Sequence, residues 1–498
     1  MLAGSRDGLA EVSALVASAA RQARGARRPS GPLPAGRPAD VLAAASAALG
    51  PETLPVDGVG AEAALRRLAT LLTEHGLDLT HPSAAAHLQP PALSVAIAAD
   101  LLASAGNASL DTYDSGPSAI AVERWLIGVL ADLARLGPRA DGVMTPGGSL
   151  SNLLGLLLAR DAVALRGGVD ARRHGVSRLP GPVVFCSELS HFSVHRACAA
   201  LGLGEGGVRP VPVDHRRRMR PEALRELLLS LGPDETPVAV VATAGTTDFG
   251  SVDPLPEIAE IAGSHGLWLH VDAAYGFGAL FSDRLASRLT GLELADSITL
   301  DLHKLGWQPA AASVLLVSDA GAFTALDREV AYLNPADDVD AGYDGLLGRS
   351  LQTTRRPDAV KVAATLLAYG RAGLGRMVDA CHDLARHAQR RIVAEPRLEL
   401  VAPAELTTVV FRYCCGASSA IEDRVNGALR RRLLESGEAL IGRTSARVAG
   451  PGSPERVCLK LTLLNPTAGP ADVDQLLDAV LTAGQAVEPA TRVVSGSE

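Results

Sequence analysis

The stretch PVAVVATAGTTDFGSVDPLPEIAEIAGSHGLWLHVDAAYG (237–276) decides the fold class, because it contains two apolar runs separated by a helical segment. The runs PVAVVA (237–242) and LWLHVD (267–272) have the length and composition of buried strands. A strand, a helix and a second strand in this order are typical of a βαβ unit. The stretch therefore predicts an α/β fold with a mainly parallel sheet.

Further strand-like runs extend the pattern in both directions along the chain, and helical stretches separate several of them. These runs are GVMT (142–145), PVVFC (182–186), SITLD (297–301) and ASVLLV (312–317). Alternation of this kind indicates a single large sheet with crossover helices.

The chain of 498 residues exceeds the length of one typical domain. A segment rich in Asp, Gly and Pro at 330–350 predicts a long mobile loop. The expected parts are an N-terminal helical arm at 1–76, a large domain at 77–370, a smaller α+β domain at 371–485, and a disordered tail at 486–498.

Charge and cysteine content argue against several classes of protein. The formal net charge is −8, and the run Arg216–Arg218 indicates a solvated turn, so we expect no nucleic-acid partner. Six scattered cysteines predict free thiols in a reducing compartment. No apolar run has the length of a membrane span, and arginines interrupt the first forty residues, which do not resemble a secretory signal. We therefore expect a cytoplasmic protein without a membrane partner.

Lysine is rare in this chain. Of 47 basic residues only three are lysines, namely Lys304, Lys361 and Lys460. Lysine can lose its proton and attack a carbonyl, whereas arginine is effectively never deprotonated. The sequence therefore offers three candidates for an amine that forms an imine.

Two motifs follow predicted strands. TPGGSLSN (145–152) combines glycines with Ser149 and Ser151 before a helical segment, which suits an anion, although a glycine turn with a helix cap explains it equally well. In HVDAAYG (270–276), Asp272 could hold a protonated pyridine nitrogen, and the alternative is a turn or capping aspartate.

Two further motifs carry imidazoles. DLHKLGW (301–307) places a histidine directly before Lys304. The alternative is that Lys304 is an ordinary surface lysine after an edge strand. In SELSHFSVHRA (187–197), His191 could stack on an aromatic ring. His191 and His195 also have a spacing that can ligate zinc, but no HExxH motif or thiolate partner accompanies them, so no metal is expected.

In chain order these motifs resemble the group II pyridoxal-phosphate-dependent amino-acid decarboxylases, densely over 75–370. The matching stretches also include TAGTTDFGSVDP and SLQTTRRPDAVK. The resemblance implies pyridoxal 5′-phosphate as the cofactor and fold type I, with a seven-stranded-type sheet, helices on both faces and a smaller C-terminal α+β domain. It also implies a homodimer with active sites at the subunit interface.

The resemblance assigns roles around the cofactor ring. Lys304 would be the Schiff-base lysine, and Asp272 would pair with the pyridine nitrogen. His191 would stack on one face of the ring, and Ala274 would pack under the other. Tyr332, in the predicted loop, would protonate the decarboxylated carbon, with Tyr343 as the next candidate.

The resemblance also assigns residues to the phosphate and the ring hydroxyl. Gly148 and Ser149 would hold the phosphate with His303 beside it, and Thr246 would lie near the hydroxyl. Two positions depart from the family pattern. Leu150 follows the glycines, and the sequence leaves open how it changes one face of the ring. Leu302 precedes the His–Lys pair.

The substrate side chain is predicted from HPSAAAHLQPP (81–91) and NASLDTYD (107–114), which resemble family segments that line its pocket. The predicted substrate residues are His87, Gln89, Asp111 and Arg355. A buried carboxylate needs a cationic partner, and a distal substrate ammonium would supply one to Asp111. The segment with Asp111 would reach in from the partner subunit.

The expected reaction is decarboxylation of a small-molecule L-amino acid, with L-2,4-diaminobutyrate first and lysine or ornithine next. Asp111 could instead cap a helix or pair with an arginine. The alternatives are an acidic or aromatic substrate, transamination or another lyase reaction on the same fold, and a non-catalytic binding protein.

Overall fold

The computed structural model describes residues 2–448, 450 and 452–493. The helices are α1 (Gly8–Gly25), α2 (Pro38–Leu49), α3 (Ala61–Glu74), α4 (Ser94–Gly106), α5 (Pro117–Leu133), α6 (Gly148–Arg166), α7 (Ala171–His174), α8 (Ser193–Ala200), α9 (Pro221–Leu229), α10 (Leu255–Ser264), α11 (Ala336–Asp340), α12 (Ala359–Ala394), α13 (Ser419–Ser436) and α14 (Pro470–Val493). The strands are β1 (Ala84–Ala85), β2 (Asp141–Thr145), β3 (Pro182–Ser187), β4 (Val208–Val211), β5 (Thr236–Thr243), β6 (Trp268–Asp272), β7 (Ser297–Asp301), β8 (Ser313–Val317), β9 (Leu398–Leu400), β10 (Thr408–Tyr413), β11 (Leu440–Arg447) and β12 (Glu455–Thr462).

The chain forms two compact units. The seven-stranded unit comprises Pro90–Asp379, and the five-stranded unit combines the chain up to Gln89 with the chain from Ala380 onward.

The sheet of the seven-stranded unit has the strand order β2-β8-β7-β6-β5-β3-β4. Its strands are parallel except β8, which runs antiparallel to both β2 and β7. The predicted mainly parallel sheet and the α/β fold are therefore confirmed. Parallel strands require crossover connections, and those of this unit carry helices such as α10 between β5 and β6.

Helix α6 is the central helix of this unit and packs against β5 to β8. Its apolar side chains Leu154, Leu156 and Leu158 are buried, and burying each stabilises the fold by about 1.5–3 kcal/mol. By length and composition alone α6 is apolar enough to cross a membrane. Slightly more than half of it is buried inside the protein, however, as expected for the core helix of a globular domain.

The five-stranded unit has the strand order β1-β11-β12-β10-β9. Strand β1 is parallel to β11, and the other pairs are antiparallel. Because β1 belongs to this sheet, the first unit boundary falls after Gln89, whereas the sequence suggested residue 76. The second boundary falls after Asp379 instead of residue 370.

The end of the chain also differs from expectation. Disorder was expected from 486, but helix α14 continues to Val493. Val487 packs against the core of the five-stranded unit, which explains why the helix extends past the expected end. Residues 494–498 of the predicted tail lie outside the described residues.

The predicted loop at 330–350 contains the short helix α11 and a 3₁₀ turn at Leu347–Arg349. Its end packs against the segment before α5, where the Leu346 N–H donates to the Leu110 carbonyl oxygen at 2.8 Å. The mobility of this segment stays a prediction.

A buried ion pair joins α5 to the chain before α12. Arg355 Nη1 lies 2.7 Å from Glu123 Oε1 and 3.0 Å from Oε2, and both residues are almost fully buried. Glu123 Oε1 also accepts the backbone N–H of Met144 in β2 at 3.2 Å. The pair thus ties a helix, a strand and a connecting segment together.

Removing one member of this pair should destabilise the seven-stranded unit strongly. We expect Arg355→Met to lower the free energy of unfolding by about 3–5 kcal/mol, because it leaves the Glu123 carboxylate buried without a cation. Denaturant unfolding measures the change. The double variant Glu123→Gln/Arg355→Met retains an acceptor for Met144 and should recover most of the loss; a single variant as stable as the parent contradicts this account.

Candidate active site

A cavity of about 260 Å³ lies in the seven-stranded unit and is called here the Lys304 cavity. Segments distant in sequence line it: Gly147–Ser149 before and at the start of α6, Asp272 at the end of β6, and Asp301–Lys304 at the end of β7. The carboxyl ends of these strands meet at one edge of the sheet, where open α/β sheets bind their ligands.

The start of α6 forms one wall of the Lys304 cavity. Gly147 is the N-cap and Gly148 the first helical residue, so unpaired backbone N–H groups face this region. A Cβ atom at Gly148 would lie only 2.9 Å from Asp301 Oδ1, which explains why glycine stands there. Ser149 adds a hydroxyl to the same wall, whereas Leu150 is half-buried and does not line the cavity.

Asp272 is a nearly buried carboxylate in the cavity wall. Its Oδ1 accepts the backbone N–H of Ala274 at 3.1 Å, and its Oδ2 accepts Asn152 Nδ2 at 2.8 Å. Two donors stabilise the ionised form of a carboxylate. Ala274 itself lines the cavity beside it.

Lys304 is the lysine that lines this cavity. Its Nζ lies 2.9 Å from Asp301 Oδ2. Lys361, by contrast, is buried in ion pairs with Asp358 and Asp100, and Lys460 lies in β12 of the other unit. The structure therefore places one of the three lysines of the sequence where an amine can meet a ligand.

Asp301 is a site residue that the sequence analysis missed. Its Oδ1 accepts the Ser313 hydroxyl at 2.5 Å, and His303 Nε2 lies 3.6 Å from its Oδ2. It is the first residue of the motif DLHKLGW, in which only the histidine and the lysine were expected to take part in the chemistry. Its position three residues before Lys304 was the available signal.

His191 lines the same cavity just before helix α8. Its Nδ1 accepts the backbone N–H of Ser193 at 3.3 Å and lies 2.8 Å from the Ser193 hydroxyl. Burial lowers the pKa of the ring, which the negative charge of Asp272 partly opposes. The imidazole is therefore neutral at neutral pH.

The end of β5 contributes hydroxyl groups that the sequence assigned differently. Thr246 was predicted to face the ring hydroxyl, but its own hydroxyl is buried 2.7 Å from Ser251 Oγ and does not line the cavity. Thr243 and Thr247 line it instead. Thr243 Oγ1 is buried and has no hydrogen-bond partner among the described residues, so it is free to bind a polar ligand atom.

A model of the pyridoxal-dependent decarboxylase conserved domain matches residues 62–414. The chain belongs to this family. An L-2,4-diaminobutyrate decarboxylase of Rhizobium meliloti (strain 1021) is 42% identical over 430 residues, 86% of this chain and 83% of that protein. One from Acinetobacter baumannii is 35% identical over 452 residues, 89% and 87% of the two chains.

A solved structure agrees with the fold of this decarboxylase. It is the glutamate decarboxylase domain of diaminobutyrate-pyruvate transaminase and L-2,4-diaminobutyrate decarboxylase from Vibrio parahaemolyticus. The two chains are 30% identical, with a TM-score of 0.84 over 96% of each. The decarboxylase activity and the pyridoxal-phosphate cofactor predicted from the sequence are confirmed by family membership.

The residues of the Lys304 cavity fit pyridoxal phosphate. The helix start at Gly148 suits a phosphate, and Asp272 suits a protonated ring nitrogen. The uncommitted Thr243 hydroxyl offers a hydrogen bond, and the glycine beside Asp301 leaves room that a side chain would fill. His191, Ala274 and His303 also line the cavity, and the roles predicted for them at the ring and the phosphate stay predictions.

The predicted substrate residues of the decarboxylase are not gathered at this cavity. Arg355 Nη1 is paired with Glu123, whereas its Nη2 is buried with no hydrogen-bond partner among the described residues, so its role in substrate binding stays a prediction. Asp111 is buried elsewhere in the same unit, while His87 and Gln89 are exposed residues of the five-stranded unit. Tyr332 is 83% exposed and does not line the cavity, so its catalytic role stays a prediction.

Zinc was the competing explanation for His191 and His195. Within the described ranges no group of three or more His, Cys, Asp or Glu side chains is arranged to hold a metal ion. His191 is instead committed to Ser193, and its ring lies 4.2 Å from that of Phe192.

Replacing Lys304 should abolish turnover without unfolding the decarboxylase. We expect Lys304→Ala and Lys304→Arg each to lower kcat by about a thousandfold or more, because arginine keeps the charge but cannot form the imine. Both should still bind cofactor noncovalently, which dialysis and absorbance can follow. Near-parental turnover in either variant contradicts the assignment.

Proposed function

We propose that this decarboxylase acts on a basic L-amino acid, with L-2,4-diaminobutyrate first and lysine or ornithine next, and releases CO2 and the diamine. The observation that carries the proposal is the 42% identity to an L-2,4-diaminobutyrate decarboxylase across 86% of this chain. A second relative with the same name supports it.

The side chains of the Lys304 cavity account for the part of the reaction that does not depend on the substrate side chain. Bound pyridoxal phosphate supplies an electron sink for the negative charge left on Cα when CO2 departs. The start of α6 would hold the phosphate, and Asp272 would pair with the ring nitrogen. His191 would limit the position of the ring, and the Lys304 amine would carry the cofactor covalently.

Asp111 offers a recognition group for a distal ammonium. Asp111 is only 9% exposed, and its Oδ1 is buried with no hydrogen-bond partner in the described part of the chain. Burying an unpaired carboxylate oxygen is costly unless a cation or donor arrives. A helix cap or an arginine bound through Oδ2 would still leave Oδ1 without a partner, so neither alternative accounts for this oxygen.

The segment that covers Asp111 belongs to the predicted loop. A Cβ at Gly345 would lie 2.0 Å from the Asp111 carbonyl oxygen, so glycine allows the close approach. Tyr343 packs edge-on against Tyr113, with ring centroids 5.6 Å apart. A movement of this loop would therefore change access to Asp111.

We further propose that the enzyme is a cytoplasmic homodimer in which Asp111 serves the site of the partner subunit. A hybrid of Lys304→Ala and Asp111→Asn subunits tests this arrangement, because one of its two sites would contain both parental side chains. Recovery of activity on mixing supports a shared site. If the subunits exchange but the mixture shows only the average activity of the two single variants, Asp111 does not act across the interface.

Substrate choice is tested with a panel of L-amino acids and identification of the amine product. Asp111→Asn should lower kcat/KM for diaminobutyrate by about 10- to 100-fold, the value of a charge-assisted hydrogen bond, and leave an uncharged amino acid nearly unaffected. Equal losses on all substrates would reject the role of Asp111. A parent enzyme that prefers glutamate or tyrosine would reject the basic substrate itself.

Tyr332 is proposed to protonate Cα after CO2 has left. Tyr332→Phe should reduce amine formation more than CO2 release or cofactor binding, because only the proton donor is lost. When the proton reaches the cofactor instead of Cα, the amino group would stay on the cofactor and water would release an aldehyde. Quantifying amine, aldehyde and aminated cofactor measures the partition. Tyr343→Phe is the matched control; amine formation at the parental rate in Tyr332→Phe moves the role to Tyr343.

A further inference from the structure

A continuous chain of hydrogen bonds runs behind the Lys304 cavity through buried side chains. It links Trp268, Ser297, His270, Asn152 and Ser193, and it reaches both Asp272 and His191. Asn152 lines the cavity, whereas Trp268, Ser297 and His270 are not part of its wall. The direction of each bond can be assigned from groups that can only donate or only accept.

The direction of the first hydrogen bond is set at Trp268, at the end of the network behind the cavity wall. The Trp268 indole N–H can only donate, and Ser297 Oγ accepts it at 2.8 Å. Ser297 is then free to donate its own proton to His270 Nδ1 at 2.7 Å. Burial lowers the pKa of His270 to about 4, so the ring is neutral and carries a single proton on one of its two nitrogens.

The Asp272 carboxylate fixes the Asn152 amide and, through it, the proton of His270. The amide nitrogen donates to Asp272 Oδ2 at 2.8 Å and to Ser193 Oγ at 2.9 Å, so Asn152 Oδ1 faces His270 Nε2 at 3.0 Å. Since Oδ1 can only accept, the neutral ring carries its proton on Nε2, which also lies 3.4 Å from Thr299 Oγ1. A flipped amide would instead place its oxygen against a carboxylate and lose both bonds.

The direction of the hydrogen bonds at His191 is fixed in the same way, by a group that can only donate. The Ser193 backbone N–H can only donate, and it points to His191 Nδ1, so that nitrogen is an acceptor. The Ser193 hydroxyl accepts from Asn152 and is free to donate to the same Nδ1 at 2.8 Å. Neutral His191 therefore carries its proton on Nε2.

We propose that Asn152 and His270 are positioning residues that hold the Asp272 carboxylate in place for the ring nitrogen and keep the His191 proton on Nε2. The two residues would act through the expected partner of the ring nitrogen, Asp272, and through the imidazole expected on the ring face, His191. The inference rests on the cofactor of the family and is independent of the substrate proposed above.

Packing supports a dedicated role for the His270 ring. Gly155 follows Asn152 by three residues and therefore lies on the same face of α6. A Cβ at Gly155 would come within 2.6 Å of His270 Cε1, so the helix backbone approaches the ring as closely as a glycine allows. The ring is held between helix and sheet with both nitrogens hydrogen-bonded.

The test compares two ligands on the cofactor-free enzyme, with no turnover involved. One is pyridoxine 5′-phosphate, which cannot form an imine, and the other is its analogue with C–H in place of the ring nitrogen. Calorimetry or tryptophan fluorescence gives both Kd values for each variant. The ratio of the two Kd values reports the interaction of Asp272 with the ring nitrogen, and a general loss of cavity shape would not change it.

Asn152→Leu should weaken pyridoxine phosphate about tenfold or more and weaken the carbon analogue less than twofold, because one donor to Asp272 is lost. His270→Leu should have the same selective effect, because the amide is no longer oriented. His270→Gln places an N–H near the position of Nε2 and should restore most of the affinity. Thr365→Val removes a buried hydrogen bond to Gln308 that is not part of this hydrogen-bond network, so it should leave the ratio of the two Kd values unchanged.

Equal weakening of both ligands by Asn152→Leu, or no weakening at all, overturns the proposal. So does a His270→Gln variant as weak as His270→Leu. If Asn152→Leu does not fold, the pair His270→Leu and His270→Gln decides, since His270 lies outside the cavity wall. A selective loss in His270→Leu that His270→Gln restores supports the proposal, and an unchanged ratio in His270→Leu overturns it.

Discussion

The nearly buried carboxylate of Asp272, at the end of β6, constrains the arrangement of this enzyme. Removing a charge from water costs several kcal/mol unless donors compensate for it. Asp272 obtains those donors from the Ala274 backbone and the Asn152 amide, which requires α6 to lie close to the sheet. That proximity in turn requires glycine at position 155, where any side chain would collide with His270.

The sequence predicted the sheet well because the information for it is local. Apolar runs bounded by turn residues located six strands of the seven-stranded unit, and the motifs after them fell at the predicted edge. The edge strand β4 was missed because VRPV is short and contains a proline. The two-residue strand β1 has no pattern of its own, since only its pairing with β11 defines it, and the unit boundary was therefore misplaced.

Contacts between distant residues account for the remaining differences at the site. Arg355 belongs to a motif that suggested substrate binding, but its partner Glu123 precedes it by 232 positions, and no local pattern connects the two. Thr246 matched its motif, yet a hydrogen bond to Ser251 turns its hydroxyl away from the cavity. Motif order identified the segments that build the site, whereas side-chain pairing decides which atoms are free to react.

The pairing of Asp301 with Lys304 shows what such a contact means for chemistry. Lys304 Nζ lies 2.9 Å from Asp301 Oδ2, and this contact holds the amine at the wall of the Lys304 cavity. Asp301 also lies against the start of α6, where its negative charge opposes that of a phosphate. The group that holds the amine in place therefore also limits how tightly the helix binds its anion, so amine position and phosphate affinity are set together.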